Sequence, residues 1–164
     1  MIEMAGDIAT KVCELNSSAT DTIAQLAQIH QEAFSAIDQA GWTASAIADA
    51  CAANGAYAVL ASSAGRAIGF ALYRQVLDEA ELISLAVAPG YQGKSVAKQL
   101  LQYAESVLCA RDVAKIFLEV RADNRPAIRL YENTGFIAVS VRKNYYSLSD
   151  NRRVDAVNYS KTLT

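Results

Sequence analysis

Apolar residues recur at helical spacing between residues 20 and 37, where Ile23, Leu26, Ala27, Ile29, Ala33, Phe34 and Ile37 share one face. A second helix is expected over 43–53, after Gly41-Trp42, with Thr43 or Ser45 near its cap. The period then changes. Tyr57–Ser62 and Ala67–Val76 are rich in β-formers and are separated by SSAGR, a hairpin loop containing Gly65. Asp78-Glu79 punctuates the next turn, and Glu81–Ala88 (ELISLAVA) reads as a buried strand. Beyond Pro89-Gly90 the helical period returns. Val96, Ala97, Leu100, Leu101, Ala104, Val107 and Leu108 line one face of a long amphipathic helix. Lys115–Val120 (KIFLEV) is a strand again. Asp123-Asn124 with Pro126 signals a helix start and Gly135 a helix stop, which predicts a short helix over 125–134. Phe136–Val141 and Val154–Leu163 are the last two predicted strands, with SLSDNRR between them.

The predicted order is helix, helix, three meandering strands, helix, strand, helix, two strands. That is an α+β arrangement: a mixed, mostly antiparallel twisted sheet flanked by helices, with one strand–helix–strand crossover at 82–120. At 164 residues the whole chain, 1–164, is expected to form one domain.

Composition narrows the chemistry. A net charge of −2 gives no broad nucleic-acid footprint. Cys13, Cys51 and Cys109 are odd in number and have no metal-ligand or disulfide spacing, which suits a reducing cytosol. The single histidine, His30, reads as a helix-face residue, which counts against zinc sites and against Ser-His or Cys-His catalysis. The first 18 residues, MIEMAGDIATKVCELNSS, lack the basic start and apolar core of a signal peptide. No apolar run is long enough for a membrane span. The expectation is a soluble, cytoplasmic protein with no metal.

The most informative segment is ELISLAVAPGYQGKSVAKQLL, a buried strand that turns tightly into a helix. Small or flexible residues at Gln92–Ala97 let backbone N–H groups approach a ligand. Free N–H groups at a helix start, with the helix dipole, attract an anion such as a pyrophosphate. Lys94 and Lys98 add positive charge. Gly93-Lys94-Ser95 also looks like the end of a P-loop, but the first glycine of that pattern falls on Ala88, before Pro89. An alanine there does not supply the strained turn. A plain strand-to-helix loop with no ligand is the third reading.

About 25 residues further on comes LEVRADNRPAIRLYENTGF, followed by VRKNYY. With ELISLAV and PGYQGKSVAKQLL, these stretches resemble the GNAT N-acetyltransferases, most closely the bacterial ribosomal-protein-alanine N-acetyltransferase type. The resemblance runs from about Ala80 to Tyr146, with a weaker match in HQEAF…GWTASAI. It implies acetyl-CoA as co-substrate, its pyrophosphate on Gln92, Gly93, Lys94, Ser95, Val96, Ala97 and Lys98. It also implies that the strand backbone at Leu85, Ala86 and Val87 pairs with the pantetheine amides, one N–H facing the thioester oxygen. The family loop is usually Q/R-x-x-G-x-G/A. Here Ser95 replaces its first glycine and Ala97 fits its second, and Ser95 N–H still donates if the backbone there is helical.

The resemblance implies three side-chain roles. Glu119, in LEVR, matches the general base, whose task is to take the proton that the acceptor amine loses. Its alternative is an ion pair with Arg121 on the same strand face. Tyr131 matches the general acid that returns a proton to the leaving thiolate, and a phenol of ordinary pKa ~10 is protonated near neutrality. Its alternative is packing with Ala127, Ile128 and Leu130. Asn124 matches the asparagine that touches the pantetheine arm; its alternative is capping of the following helix, which Asp123 or Asn124 can do equally well. Arg142, Lys143, Arg152 and Arg153 around Tyr145-Tyr146 read either as a solvated basic surface or as acceptor contacts. Trp42 reads as a core anchor rather than a ligand residue, with its loop able to border an acceptor groove.

The expected reaction is acetyl transfer to a primary amine. The type resembled implies the N-terminal alanine of a small-subunit ribosomal protein as acceptor. A small-molecule amine is the first alternative, and a non-catalytic CoA-binding module the second. No nucleic-acid or membrane partner is expected, and the oligomeric state is left open.

Overall fold

The computed structural model describes residues 10–15 and 20–164; most of the segment inspected for a signal peptide lies outside them. The elements are β1 (Lys11–Glu14), α1 (Thr20–Ser35), α2 (Ala44–Ala52), β2 (Ala56–Ser63), β3 (Arg66–Val76) and β4 (Glu79–Val87). A single 3-10 turn at Pro89–Tyr91 leads to α3 (Val96–Ala110). Then come β5 (Lys115–Arg121), α4 (Arg125–Asn133), β6 (Ile137–Ser147) and β7 (Arg153–Thr162). The described strands form one sheet in the order β1-β2-β3-β4-β5-β7-β6, antiparallel throughout except where β4 meets β5.

Period-2 alternation places helices on both faces of this sheet. From β3, Phe70 and Leu72 point to one side and pack with Ile23, Leu26, Ala27, Ile29 and Ile47 of α1 and α2. Ala71 and Tyr73 point to the other side, joined by Ile68, the extra residue at a register shift against β2, and there Leu100, Leu101, Ala104 and Leu108 of α3 close the larger core. β3 is therefore buried on both faces, which is why it reads as a near-continuous apolar run.

Three boundaries and one extra strand depart most from expectation. Helix α1 stops at Ser35 because Asp38 turns left-handed (φ 54°), and Ile37 lies in the turn. The β2–β3 hairpin turns on Ala64-Gly65 alone, both with positive φ (48° and 77°), so the flanking serines and Arg66 belong to the strands. Strand β1 was not expected; it is a four-residue edge piece, KVCE, too short and too polar to show a period. Strand β6 runs six residues past Val141, and almost all of it is exposed.

One irregularity shapes the site. In the β3–β4 ladder Leu72 pairs with Ser84 and Tyr73 with Leu82, so Ile83 is an extra residue, a β-bulge. A bulge bends its strand, and β4 bends here. Its parallel pairing with β5 is confined to Glu79↔Lys115, Ala80↔Ile116 and Glu81↔Phe117. Beyond Ile83 the two strands diverge toward their C-terminal ends and open a wedge.

Candidate active site

The wedge opens into a cleft of about 700 Å³ bounded by β4, β5, α4, the loop before α3 and the loop after α1. Leu85, Ala86 and Val87 form one wall from β4, and Glu119 stands on the opposite wall from β5. Tyr131 and Asn124 enter from α4. Gln92, Gly93, Ser95, Val96, Ala97 and Lys98 line the end beneath α3. Lys94 is the exception. Its ammonium turns back to the Gly90 carbonyl (3.0 Å) and lies over the Tyr91 ring.

The loop before α3 is held in the form an anion site needs. Gln92 Nε2 donates to the Val87 carbonyl at 3.0 Å, which staples the loop to the end of β4. Gly93 (φ 73°) and Ser95 (φ 61°) both adopt left-handed backbone, so the condition of helical backbone at Ser95 is not met: it is the N-cap, outside the helix. Serine tolerates that conformation at a cost that glycine avoids. The turn leaves the backbone N–H groups of Gly93 to Lys98 with no backbone carbonyl among the described residues to receive them. Three of these donors, Val96 to Lys98, belong to the first turn of α3 and three to the loop before it, and together they suit a phosphate group.

Glu119 sits on β5 past the last β4 pair, opposite Asn158 of β7. Its partner is not Arg121. Its Oε2 accepts from Arg142 Nη1 at 3.0 Å and its Oε1 from the Tyr146 hydroxyl at 3.2 Å. Burial, with the Glu119 carboxylate as a secondary cause, pushes the Tyr146 phenol up to about 12, so Tyr146 stays a donor. Arg142 in turn stacks on the Tyr145 ring, 3.9 Å from its centroid. The basic cluster after β6 thus divides: Arg142 and Tyr146 reach the cleft's carboxylate, while Lys143 pairs with Asp155 and Arg152 with Asp150.

Arg121 is occupied elsewhere. Its side chain is 7% exposed and grips Asp123 with two bonds of 2.9 and 2.7 Å, holding that carboxyl below the usual carboxylate range. Its Nη1 also donates to the Ile37 carbonyl at 2.7 Å. That contact pins the loop after α1 to the floor of β5. Asp38 in the same loop accepts from the Ser149 hydroxyl at 2.8 Å, so the loop meets the β6–β7 connection.

Tyr131 is 8% exposed and packs edge-on to Phe136 and tilted against Tyr159. Burial raises its phenol above the ordinary range. The packing reading is met, since Tyr131 lies in the core with Ala127, Ile128 and Leu130, and the residue also lines the cleft. Asn124 caps α4, its Oδ1 accepting from Ala127 N–H at 3.3 Å, and it also lines the cleft. Trp42 stacks on His30 beside the cleft wall, 5.1 Å between centroids.

Sequence reasoning missed the Glu119 partners and the anchoring work of Arg121. Arg142 and Tyr146 are 23 and 27 residues from Glu119 and meet it across β7. Only the strand order, β5-β7-β6, brings them together.

The family model described as Acetyltransferase (GNAT) family matches residues 23–136. The [ribosomal protein bS18]-alanine N-acetyltransferase of Haemophilus ducreyi is 43% identical over 90 residues, 55% of this chain and 62% of that protein. Its Escherichia coli K12 counterpart is 44% identical over 93 residues, 57% of this chain and 62% of that protein. The matched region thus spans less than two thirds of these relatives' length. The crystal structure of the ribosomal-protein-S18-alanine N-acetyltransferase from Escherichia coli superposes with a TM-score of 0.83 at 30% identity, covering 94% of each chain. Ard1 from Thermoplasma volcanium, 23% identical, shares the fold with a TM-score of 0.80 over 96% of this chain and 99% of that one.

Proposed function

The chain belongs to the acetyltransferase (GNAT) family, and from that premise we propose that it transfers an acetyl group from acetyl-CoA to the N-terminal α-amino group of a protein. The observation that carries the reading is one continuous cleft. Free N–H groups at Gly93–Lys98 close one end of it, and Glu119 and Tyr131 line its walls. The relatives named for ribosomal protein bS18 support its N-terminal alanine as the acceptor.

The residues present fit acetyl-CoA. The six N–H groups suit its pyrophosphate, and the open edge of β4 at Leu85–Val87 suits an extended arm that carries amides. When bound, it supplies an acetyl group activated as a thioester. Glu119 takes the proton that the amine nitrogen sheds as the N–C bond forms, directly or through a water. Tyr131 gives its hydroxyl proton to the sulfur as the C–S bond breaks. Burial suits it to that task, because a phenol held above its usual range is protonated throughout the working pH range. Arg121 and Asp38 hold the loop beside which the acceptor enters.

The test is direct. The purified chain is mixed with acetyl-CoA and peptides beginning with a free alanine, and thiol release is followed. Release confined to small amines moves the assignment to a small-molecule acceptor. Saturable acetyl-CoA binding with no release on any amine leaves a binding module and sinks the enzymatic reading.

A further inference from the structure

The carboxylate assigned as base does not face the cleft as a bare anion. Arg142 lies against it at 3.0 Å, 54% exposed, reaching it from the solvent side across β7 without lining the cleft itself. The Tyr145 ring lies beside the guanidinium, 3.9 Å from ring centroid to its carbon. The neighbouring charges do not undo this pairing. Arg121 on the same strand is matched by Asp123, Asp155 of β7 by Lys143, and β4 offers no charged residue between Leu82 and Val87. Asp38, in the loop after α1, is engaged by Ser149.

Resting on the acyl-transfer reading, we infer that Arg142 is a specificity residue: by neutralising Glu119 it makes the site take amines that arrive uncharged. An ammonium gains little from approaching a neutral ion pair and is repelled by the guanidinium. A neutral amine meets no such barrier, and the proton it sheds on attack still has Glu119 to receive it. The consequence is selection by basicity. At pH 7.5 about a third of an α-amino group (pKa ~7.7–8.0) is neutral, against roughly a thousandth of a lysine side chain (pKa ~10.4). A paired base therefore favours protein N-termini over lysines with no contact to the residues that follow.

The experiment compares two peptides of one sequence, one with a free N-terminal alanine and no lysine, the other N-terminally blocked and carrying one lysine. Acetyl-CoA-dependent thiol release gives kcat and KM for the wild type, Arg142→Gln and Arg142→Lys. The expected result is that Arg142→Gln lowers the α-amine to lysine ratio of kcat/KM at least about tenfold, chiefly through a lower KM for the lysine peptide. Arg142→Lys restores the ratio. An active Arg142→Gln enzyme with an unchanged ratio, both peptides slowed alike, overturns the inference and leaves Arg142 as a structural prop. A wild type that turns over neither peptide overturns the acyl-transfer reading, and this inference with it.

Discussion

The imidazole of His30 accepts the backbone N–H of Trp42 at its Nδ1, 3.0 Å away, and this fixes its tautomer. The proton must sit on Nε2, which therefore donates to the Ser84 hydroxyl at 3.1 Å. A residue read as an ordinary helix-face histidine thus ties α1 to the loop before α2 and to β4 just past its bulge. Protonating Nδ1 would break the Trp42 bond inside a site where the ring is 1% exposed.

Stability should respond to pH accordingly. Burial lowers the His30 pKa from 6.5 to about 4. Between those values the unfolded chain binds the proton and the folded chain does not, so stability falls as pH falls through that window. The full effect is about 3 kcal/mol. Urea unfolding at pH 7 and pH 4.5 should show the loss, and His30→Gln should flatten the curve between pH 6.5 and 4. Asp123 and Asp155 are depressed below the usual 3.8, so their contributions are lost only at still lower pH.

Replacing Ser95 by glycine should stabilise the protein. The left-handed conformation at φ 61° costs a serine about 1 kcal/mol or more, offset in part by the greater freedom of glycine in the unfolded chain. The expected gain is up to about 1 kcal/mol in thermal unfolding, with acetyl-CoA binding equal or tighter. Ser95→Val should lose at least as much, since a β-branched side chain suits positive φ least. A stabilised valine variant would contradict the geometry described for this turn.

Glu119→Gln should lower turnover by about 10²- to 10⁴-fold while leaving the acetyl-CoA affinity measured by calorimetry unchanged. Tyr131→Phe should slow turnover more than it weakens that affinity. Because burial holds the Tyr131 phenol above its ordinary range, kcat should show no alkaline decline near pH 10 from this group. Equal losses in binding and turnover for the phenylalanine variant would make the hydroxyl a binding group.

Arg121→Met should cost about 2–3 kcal/mol, because it strips the Ile37 carbonyl and Asp123 of charged hydrogen bonds. On the proposed reading the freed loop borders the acceptor's path, so KM for the peptide should rise more than KM for acetyl-CoA. Parallel steady-state titrations of the two substrates separate these effects.

The layers and the site differed in how far the sequence revealed them. Helix α3 and the buried strands were legible because Val96, Leu100, Leu101, Ala104 and Leu108 repeat at helical steps and β3 is apolar on both faces. Residue type announced the caps as pairs of candidates, Thr43 or Ser45 and Asp123 or Asn124, and in each pair one side chain, Thr43 or Asn124, accepts a first-turn backbone N–H. Strand β6 ran long without warning, because an exposed edge strand carries no burial pattern to read. The left-handed Ser95 was hidden for a similar reason: nothing in a lone serine distinguishes an N-cap held at positive φ from a first helical residue. The Glu119 environment depended on strand order, and local spacing pointed to Arg121 instead.

The short β4–β5 seam has a consequence for the free protein. Three residue pairs join a four-stranded plate to a three-stranded one, and past Ile83 the facing edges carry peptide groups with no strand opposite. Such an edge is an unfinished ladder. An extended molecule with amides at suitable spacing can add rungs there, knitting the two plates as it binds. Occupancy of that edge and mechanical integrity of the sheet would then be one property.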